Sequence, residues 1–264
     1  MSQIDTPALV LHTFDYRETS RVVRLVTRDA GVISVVARGA RRPRNKFGAA
    51  LDLFASGNAQ VVMQGSRDLH ALHGFDATRS RPELAQSLDK FGAASAIAEF
   101  CIRFGYEAES SHLYEVAVTA LDAIAYAEPD EVPSVAVANT WRLVAELGFA
   151  PALTQCASCH ADLTLTADVT FHHRAGGALC GPCASQAQGG RRLPAEARAA
   201  LVSWLAGNEA LADGLAIRSH LRLLREFLEE HLGDGRPLRA LIAWEERQQE
   251  RVPAVRTTAQ SAAE

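Results

Sequence analysis

Four of the five cysteines stand in two C-x-x-C pairs, Cys156-Ala-Ser-Cys159 and Cys180-Gly-Pro-Cys183, which enclose residues 160–179. Each pair presents two thiolates on one side of a tight turn, and a tetrahedral ion needs two such pairs. The spacing is that of a four-cysteine zinc ribbon. One structural Zn2+ per chain is expected on Cys156, Cys159, Cys180 and Cys183, with Leu163–Thr166 and Val169–His172 pairing as a β-ribbon between the knuckles. A redox dithiol needs a single pair beside a βαβ unit, which the pattern lacks. Catalytic zinc keeps an open position that four thiolates would close. Zinc deaminases need an H-x-E, and none occurs. His160, His172 and His173 lie near enough to replace a cysteine, but four thiolates suffice. Cys101 falls on an apolar helical stripe and reads as a core cysteine.

The second constellation is basic. Arg38-Gly-Ala-Arg-Arg-Pro-Arg-Asn-Lys46 carries five cations in nine residues and no acid, and Gly39 and Pro43 keep it out of regular structure. Such a cluster repels itself unless an anion is near. From Tyr16 to Lys46 the charge is +7, so a chain of net −4 carries −11 elsewhere. The bland reading is a solvated loop in an arginine-rich chain, with lysine only at Lys46 and Lys90. The clustering favours phosphate binding. The candidate DNA contacts are Arg21, Arg24, Arg38, Arg41, Arg42, Arg44 and Lys46. The nearby aromatics Phe14, Tyr16, Phe47 and Phe54 read as core rather than as stacking platforms. No phosphate-binding, dinucleotide, zincin or nucleophile-elbow motif occurs, so no active site is nominated and a non-enzyme is expected.

Placing these groups requires a scaffold. With 264 residues, 48% hydrophobic, the chain can bury a core of one large or two small domains. Short β-rich runs at Ala8–His12, Arg21–Thr27, Val32–Ala37, Ala49–Phe54, Ala59–Met63 and Leu69–Phe75 are separated by turn residues, with a hairpin at Arg28–Gly31. They predict a small antiparallel β-barrel with the basic loop at its mouth, the construction of an OB-fold. After Pro82 the period becomes helical: Leu84 to Gly105, then stripes through Leu113–Ile124 and Ala138–Gly148. The clearest stripe is Leu221, Leu224, Leu228 and Leu232, closed by Gly233 and Pro237. The expected class is α+β and multi-domain: a barrel over 1–80, a helical domain over 81–151 and 191–246, an inserted zinc ribbon over 152–190, and a flexible tail over 247–264. The opening Met1-Ser-Gln-Ile-Asp5 lacks the basic and apolar regions of a signal peptide, and no apolar run is long enough to span a bilayer. A cytoplasmic, nucleoid-associated protein without membrane contact is expected.

Several strings taken in order resemble the RecO family. They are Tyr16-x-Glu18-x-Ser20, Leu25-Val-Thr27, Gly31, Ala37-Arg-Gly39-Ala and the basic run, then Leu147-Gly148-Phe-Ala-Pro151 leading into the cysteines, and finally Leu221 to Gly233. The likeness spans about residues 5–240. It departs at Leu51-Asp-Leu-Phe54, where the family often has Leu-x-Pro-Phe. The resemblance implies a recombination mediator in DNA repair that binds single- and double-stranded DNA, anneals complementary strands, and acts with RecR to load RecA on SSB-coated strands. It also implies that the helical region seats the acidic SSB tail, with Arg218, Arg222 and Arg225 as candidate anchors unless they pair along their own helix. An RNA-binding accessory protein built from a barrel and a zinc ribbon is the alternative.

Overall fold

The structure, a computed structural model, describes residues 2–65, 68–105, 112–208, 214–231 and 235–250. Among them, no helix is long and apolar enough to cross a membrane. The N-terminal strands are β1 (Ser2–Tyr16), β2 (Ser20–Thr27), β3 (Gly31–Ala37), β4 (Ser56–Met63) and β5 (Leu69–Arg79). They close into a barrel in the order β1-β2-β3-β5-β4. All neighbours are antiparallel except β3 and β5, which run parallel where the barrel closes. The β2–β3 hairpin turns at Gly31, whose φ of 59° lies in the left-handed region that glycine adopts without a Cβ clash. Thr27 Oγ1 secures the turn, donating to Gly31 O at 2.8 Å and accepting from Ala30 N.

Alternation along these strands divides the apolar residues between two cores. Val10, Val23, Leu25, Val35 and Val61 point into the barrel. Leu9, Leu11, Val26 and Val32 point outward and join the core of the helical part. A one-residue slip would exchange the two sets, so burial on both faces fixes the register. A bulge between Val10 and His12 shifts the phase of β1 beyond the helical contact.

The expected strand at Ala49–Phe54 is instead a chain of turns between β3 and β4. Ala50 N donates to Phe47 O, Asp52 N to Ala49 O and Ala55 N to Asp52 O, and Phe54 has a φ of 65°. Its apolar residues had suggested a strand, but they serve two different cores: Leu51 plugs the barrel and Phe54 meets the helices.

A 3-10 turn (Pro82–Ala85) leads into α1 (Leu88–Phe104), where Ser87 Oγ accepts from Asp89 N and Lys90 N as the N-cap. Helices α2 (His112–Tyr126) and α3 (Val132–Glu146) follow. The ribbon contains β6 (Val169–His172), β7 (Gly177–Leu179), the short α4 (Gly181–Gln186) and β8 (Arg191–Leu193). Then come α5 (Ala195–Leu205), α6 (Gly214–His231) and α7 (Arg239–Glu250). Helices α5 and α7 escape the sequence reading because one relies on alanine and the other buries only Leu241 and Trp244 among its apolar residues. Glu99 of α1 secures the start of α7, accepting from Arg239 N, Ala240 N and Leu241 N. The tail expected from residue 247 is helical as far as Glu250; residues 251–264, like Leu232 and Gly233, lie outside the described residues.

Candidate nucleic-acid interface and metal centre

The basic loop is anchored at two apolar points, Ala40 and Phe47, both in the barrel core. Between them, Asn45 Oδ1 accepts from Phe47 N and Gly48 N, and Arg44 adopts φ 57°. The cations are thus carried on an ordered turn. Arg41 N donates to Thr19 O at 3.0 Å and ties this loop to the β1–β2 turn, where Arg17 also has a positive φ, 53°. The two turns and the start of β5 enclose an open cleft of about 980 Å³, lined by Arg17, Arg38, Arg42, Tyr16, Val36 and Leu69 and by one acid, Glu18.

The seven expected cations separate into groups. Arg38 and Arg42 line the cleft, and Arg44 is exposed beside it. Arg24 stands on the outer barrel face, opposite His12. Arg21 and Arg41 converge on Asp15 at 3.6 and 3.4 Å, and Arg41 also donates to Arg17 O. Lys46 turns away to donate to His73 O and to cover the Phe47 ring. Arg17 joins the cleft although the sequence supplied no sign beyond its charge, because the turn that aims it depends on its own backbone conformation. Among the described residues, no ion pair links Arg17, Arg38, Arg42 or Arg44 to a carboxylate, so their charge faces solvent.

The arginines of α6 behave differently. Arg222 pairs with Glu226 at 3.0 Å, Arg225 pairs with Glu229 at 3.0 Å and Glu245 at 2.7 Å, and Arg218 is engaged as well. Pairing within and beside the helix therefore accounts for Arg222 and Arg225. The aromatic residues also divide. Phe47 and Phe54 are buried as expected, whereas Tyr16 is half-buried and Phe14 is 44% exposed. The core reading is corrected for Phe14: the β1 bulge puts it on the outer face beyond the reach of the helices.

The four ribbon cysteines do come together. Their sulfurs all lie within 4.8 Å of one another, and Cys159 Sγ is 3.7 Å from Cys180 Sγ. Tetrahedral thiolates bonded to zinc at ~2.3 Å would be roughly 3.8 Å apart, so the donor set and its spacing fit that ion. The first knuckle closes through His160 N donating to Cys156 O at 2.9 Å, with His160 at φ 60°. The second opens α4, with Cys180 as its N-cap. Burial pushes the Cys156 thiol up, but N–H donors from Cys180, Cys159 and Ser158 outweigh it and bring the thiol down to about 6. Hydrogen bonds with Cys180 and Cys159 push Cys183 up to about 12. Four sulfurs gathered this closely are a ready set of ligands for a cation. The intervening ribbon differs from expectation: β6 pairs with β7 and β8, and not with Leu163–Thr166. The backbone at Thr164 and Ala167 is occupied otherwise, their carbonyls accepting from buried Arg198 of α5. At Gly177 an added Cβ would sit 2.2 Å from Ala152 O, so only glycine lets the ribbon close on the preceding segment.

Residues 1–81 match the family described as Recombination protein O N terminal, and residues 85–240 match Recombination protein O C terminal. Among curated proteins, the chain is 33% identical over 239 residues to DNA repair protein RecO of Anaeromyxobacter dehalogenans, covering 88% of this chain and 93% of the relative. It is 30% identical over 234 residues to the RecO protein of Symbiobacterium thermophilum, covering 87% and 88%. For that of Geobacter metallireducens the identity is 30% over 245 residues, covering 91% and 96%. Matches of this extent, over both the barrel and the helical part, establish that the chain belongs to the RecO family of DNA repair proteins.

Proposed function

We propose that this chain is a recombination mediator that binds single- and double-stranded DNA, anneals complementary single strands, and acts with RecR to load RecA on strands coated by SSB. It does so by binding alone, without catalysis, in the cytoplasm at the nucleoid. The observation that carries the reading is the cleft at the barrel mouth, lined by Arg17, Arg38 and Arg42 against the single acid Glu18, with no carboxylate ion-paired to any of the three among the described residues. Cations left facing solvent on a small barrel can neutralise phosphates and release counterions, giving affinity with little sequence preference. Arg44 and Arg24 extend this surface. Arg21, Arg41 and Lys46 contribute only after leaving their present partners. RecR and the acidic SSB tail are the protein partners in this reading; Arg222 and Arg225, already paired, are not offered as anchors. The four cysteines hold one structural Zn2+. In this reading the functional units are a barrel over 1–80, a helical part over 81–151 and 191–246 that α7 extends to Glu250, a ribbon over 152–190 and a tail after it.

The test is salt-dependent binding of single-stranded DNA by the full chain. Replacing Arg38 and Arg42 with alanine should flatten the slope of log affinity against log salt by about 1.4, from roughly 0.7 per single-strand phosphate contact. The melting temperature should hardly move, because exposed loop charges add little to the fold. An unchanged slope would remove the cleft from the phosphate path. Annealing of SSB-coated complementary DNA separates this reading from the RNA-binding alternative, which expects tighter RNA binding and no annealing.

A further inference from the structure

Past the bulge in β1, His12, Phe14 and Tyr16 alternate onto the outer face of the barrel. The helices cover that face only at its Leu9–Val26–Val32 end. The uncovered end is continuous with the cleft: Phe14 pairs across to Val22, and Val22 to Val36, which lines the cleft together with Tyr16. The rings of His12 and Phe14 are 6.0 Å apart, and the guanidinium of Arg17 lies 5.2 Å from the centre of the Tyr16 ring. Arg24 stands opposite His12 on the neighbouring strand. This strip thus offers the exposed rings of His12 and Phe14, with the Tyr16 ring already faced by Arg17, beside cations that form no ion pair among the described residues.

The geometry points to Phe14, supported by His12 and Tyr16, as a stacking platform for the unpaired bases of a strand whose phosphates lie along Arg17, Arg38 and Arg42. The inference rests on the reading of the barrel as DNA-binding, and deepens it from phosphate contact to selection of single strands. A protein partner would also cover an apolar strip, but the uncompensated arginines around this one favour a polyanion with aromatic faces. Stacking asks for unpaired bases, because a duplex keeps its base faces inside. The platform should therefore give single strands an advantage that phosphate contacts alone cannot.

The experiment compares wild type and Phe14→Ala for binding to oligo-dT, to an oligomer of equal length carrying abasic sites in place of the bases, and to duplex. One lost base–aromatic stack should weaken oligo-dT binding roughly 5- to 150-fold. The salt slope should stay unchanged, duplex binding should change less than twofold, and the abasic oligomer should bind both proteins equally. Trp141, Trp204 and Trp244 are at most 1% exposed, so Phe14→Trp supplies a reporter over a constant background, and its emission should be quenched by oligo-dT. Wild-type binding that Phe14→Ala leaves intact, with no quenching in Phe14→Trp, would overturn the platform and spare the cleft. Equal weakening on duplex and abasic DNA would also overturn it. Quenching by a protein partner but not by DNA would reassign the strip. Absence of DNA binding by wild type would overturn the cleft reading itself, and the platform with it.

Discussion

At the scale of single residues, the chain contains titratable groups whose properties come chiefly from burial. Burial pushes the Cys101 thiol up to about 12, which makes it an inert core residue, as its place on the apolar stripe of α1 implied. His220 on α6 is 2% exposed, packs edge-on against Trp204 at 4.7 Å, and neither ring nitrogen has a hydrogen-bond partner among the described residues. Burial lowers it from 6.5 to about 4, so the folded protein holds it neutral where the unfolded chain would protonate it. The unfolded state then binds the extra proton. Stability is full above pH 6.5, falls as the pH drops through the window from 6.5 to 4, and has lost the whole contribution below that. The loss attributable to this group is about 3 kcal/mol at 1.36 kcal/mol per pKa unit. Urea unfolding of wild type and His220→Leu at pH 7.5 and pH 4.5 checks it. The destabilisation on acidification should be smaller in the variant by about 2.5 kcal/mol, because pH 4.5 lies inside the window and not below it, and parallel pH profiles would contradict it.

Among the elements, the ribbon depends most on something other than an apolar core. Its sheet has three strands of three or four residues, and Phe171 reaches the main core against Phe227 at 6.0 Å. Leu153 and Leu193 join the same core, and polar contacts to α6 add to it. Arg191 grips Glu226 with two hydrogen bonds, at 3.0 and 2.7 Å, and the His231 ring meets His173 O at 2.6 Å. So small a sheet gains little from burial, and a metal held between the two knuckles would supply the missing constraint. Freshly purified protein should contain one zinc per chain by metal analysis. Cys159→Ser or Cys183→Ser should lose the metal and raise hydrogen exchange in β6 and β7 while leaving the barrel strands protected. Wild-type protein without zinc, or a variant retaining it, would contradict the assignment. The cysteine spacing was legible because a knuckle is a local structure. The partner strands of β6 were not, since Arg191–Leu193 becomes a strand only through pairing across the sheet.

At the scale of the whole molecule, the barrel and the helical part are joined by Arg81, which is 4% exposed. Its guanidinium donates to Phe54 O at 2.6 Å and Ser56 Oγ at 2.9 Å on the barrel side, and to Asp122 of α2 at 2.6 Å. Removing one partner of a buried charged network leaves the others without compensation. Arg81→Met should therefore cost about 3 kcal/mol in denaturant unfolding, and a change below about 0.5 kcal/mol would show that the junction is held by apolar packing alone. In the sequence, Arg81 was one more arginine at a domain boundary. By itself the sequence determined what depends on local order: the strand alternation of Arg21–Thr27 and Val32–Ala37, the hairpin at Gly31, the helical stripes, the two cysteine knuckles and the basic turn. It also carried the family likeness, since that lies in the order of such strings. Only the tertiary structure decided what depends on the far side of each residue. Residues 49–54 became turns because their apolar side chains answer to two different cores. Arg41 and Lys46 were drawn onto Asp15 and His73 while Arg17 joined the cleft, and Phe14 was left in the open because the helices stop short of it. Local pattern reports which side chains avoid water, whereas partners, and hence which charges remain free to bind another molecule, are set by segments distant in the chain.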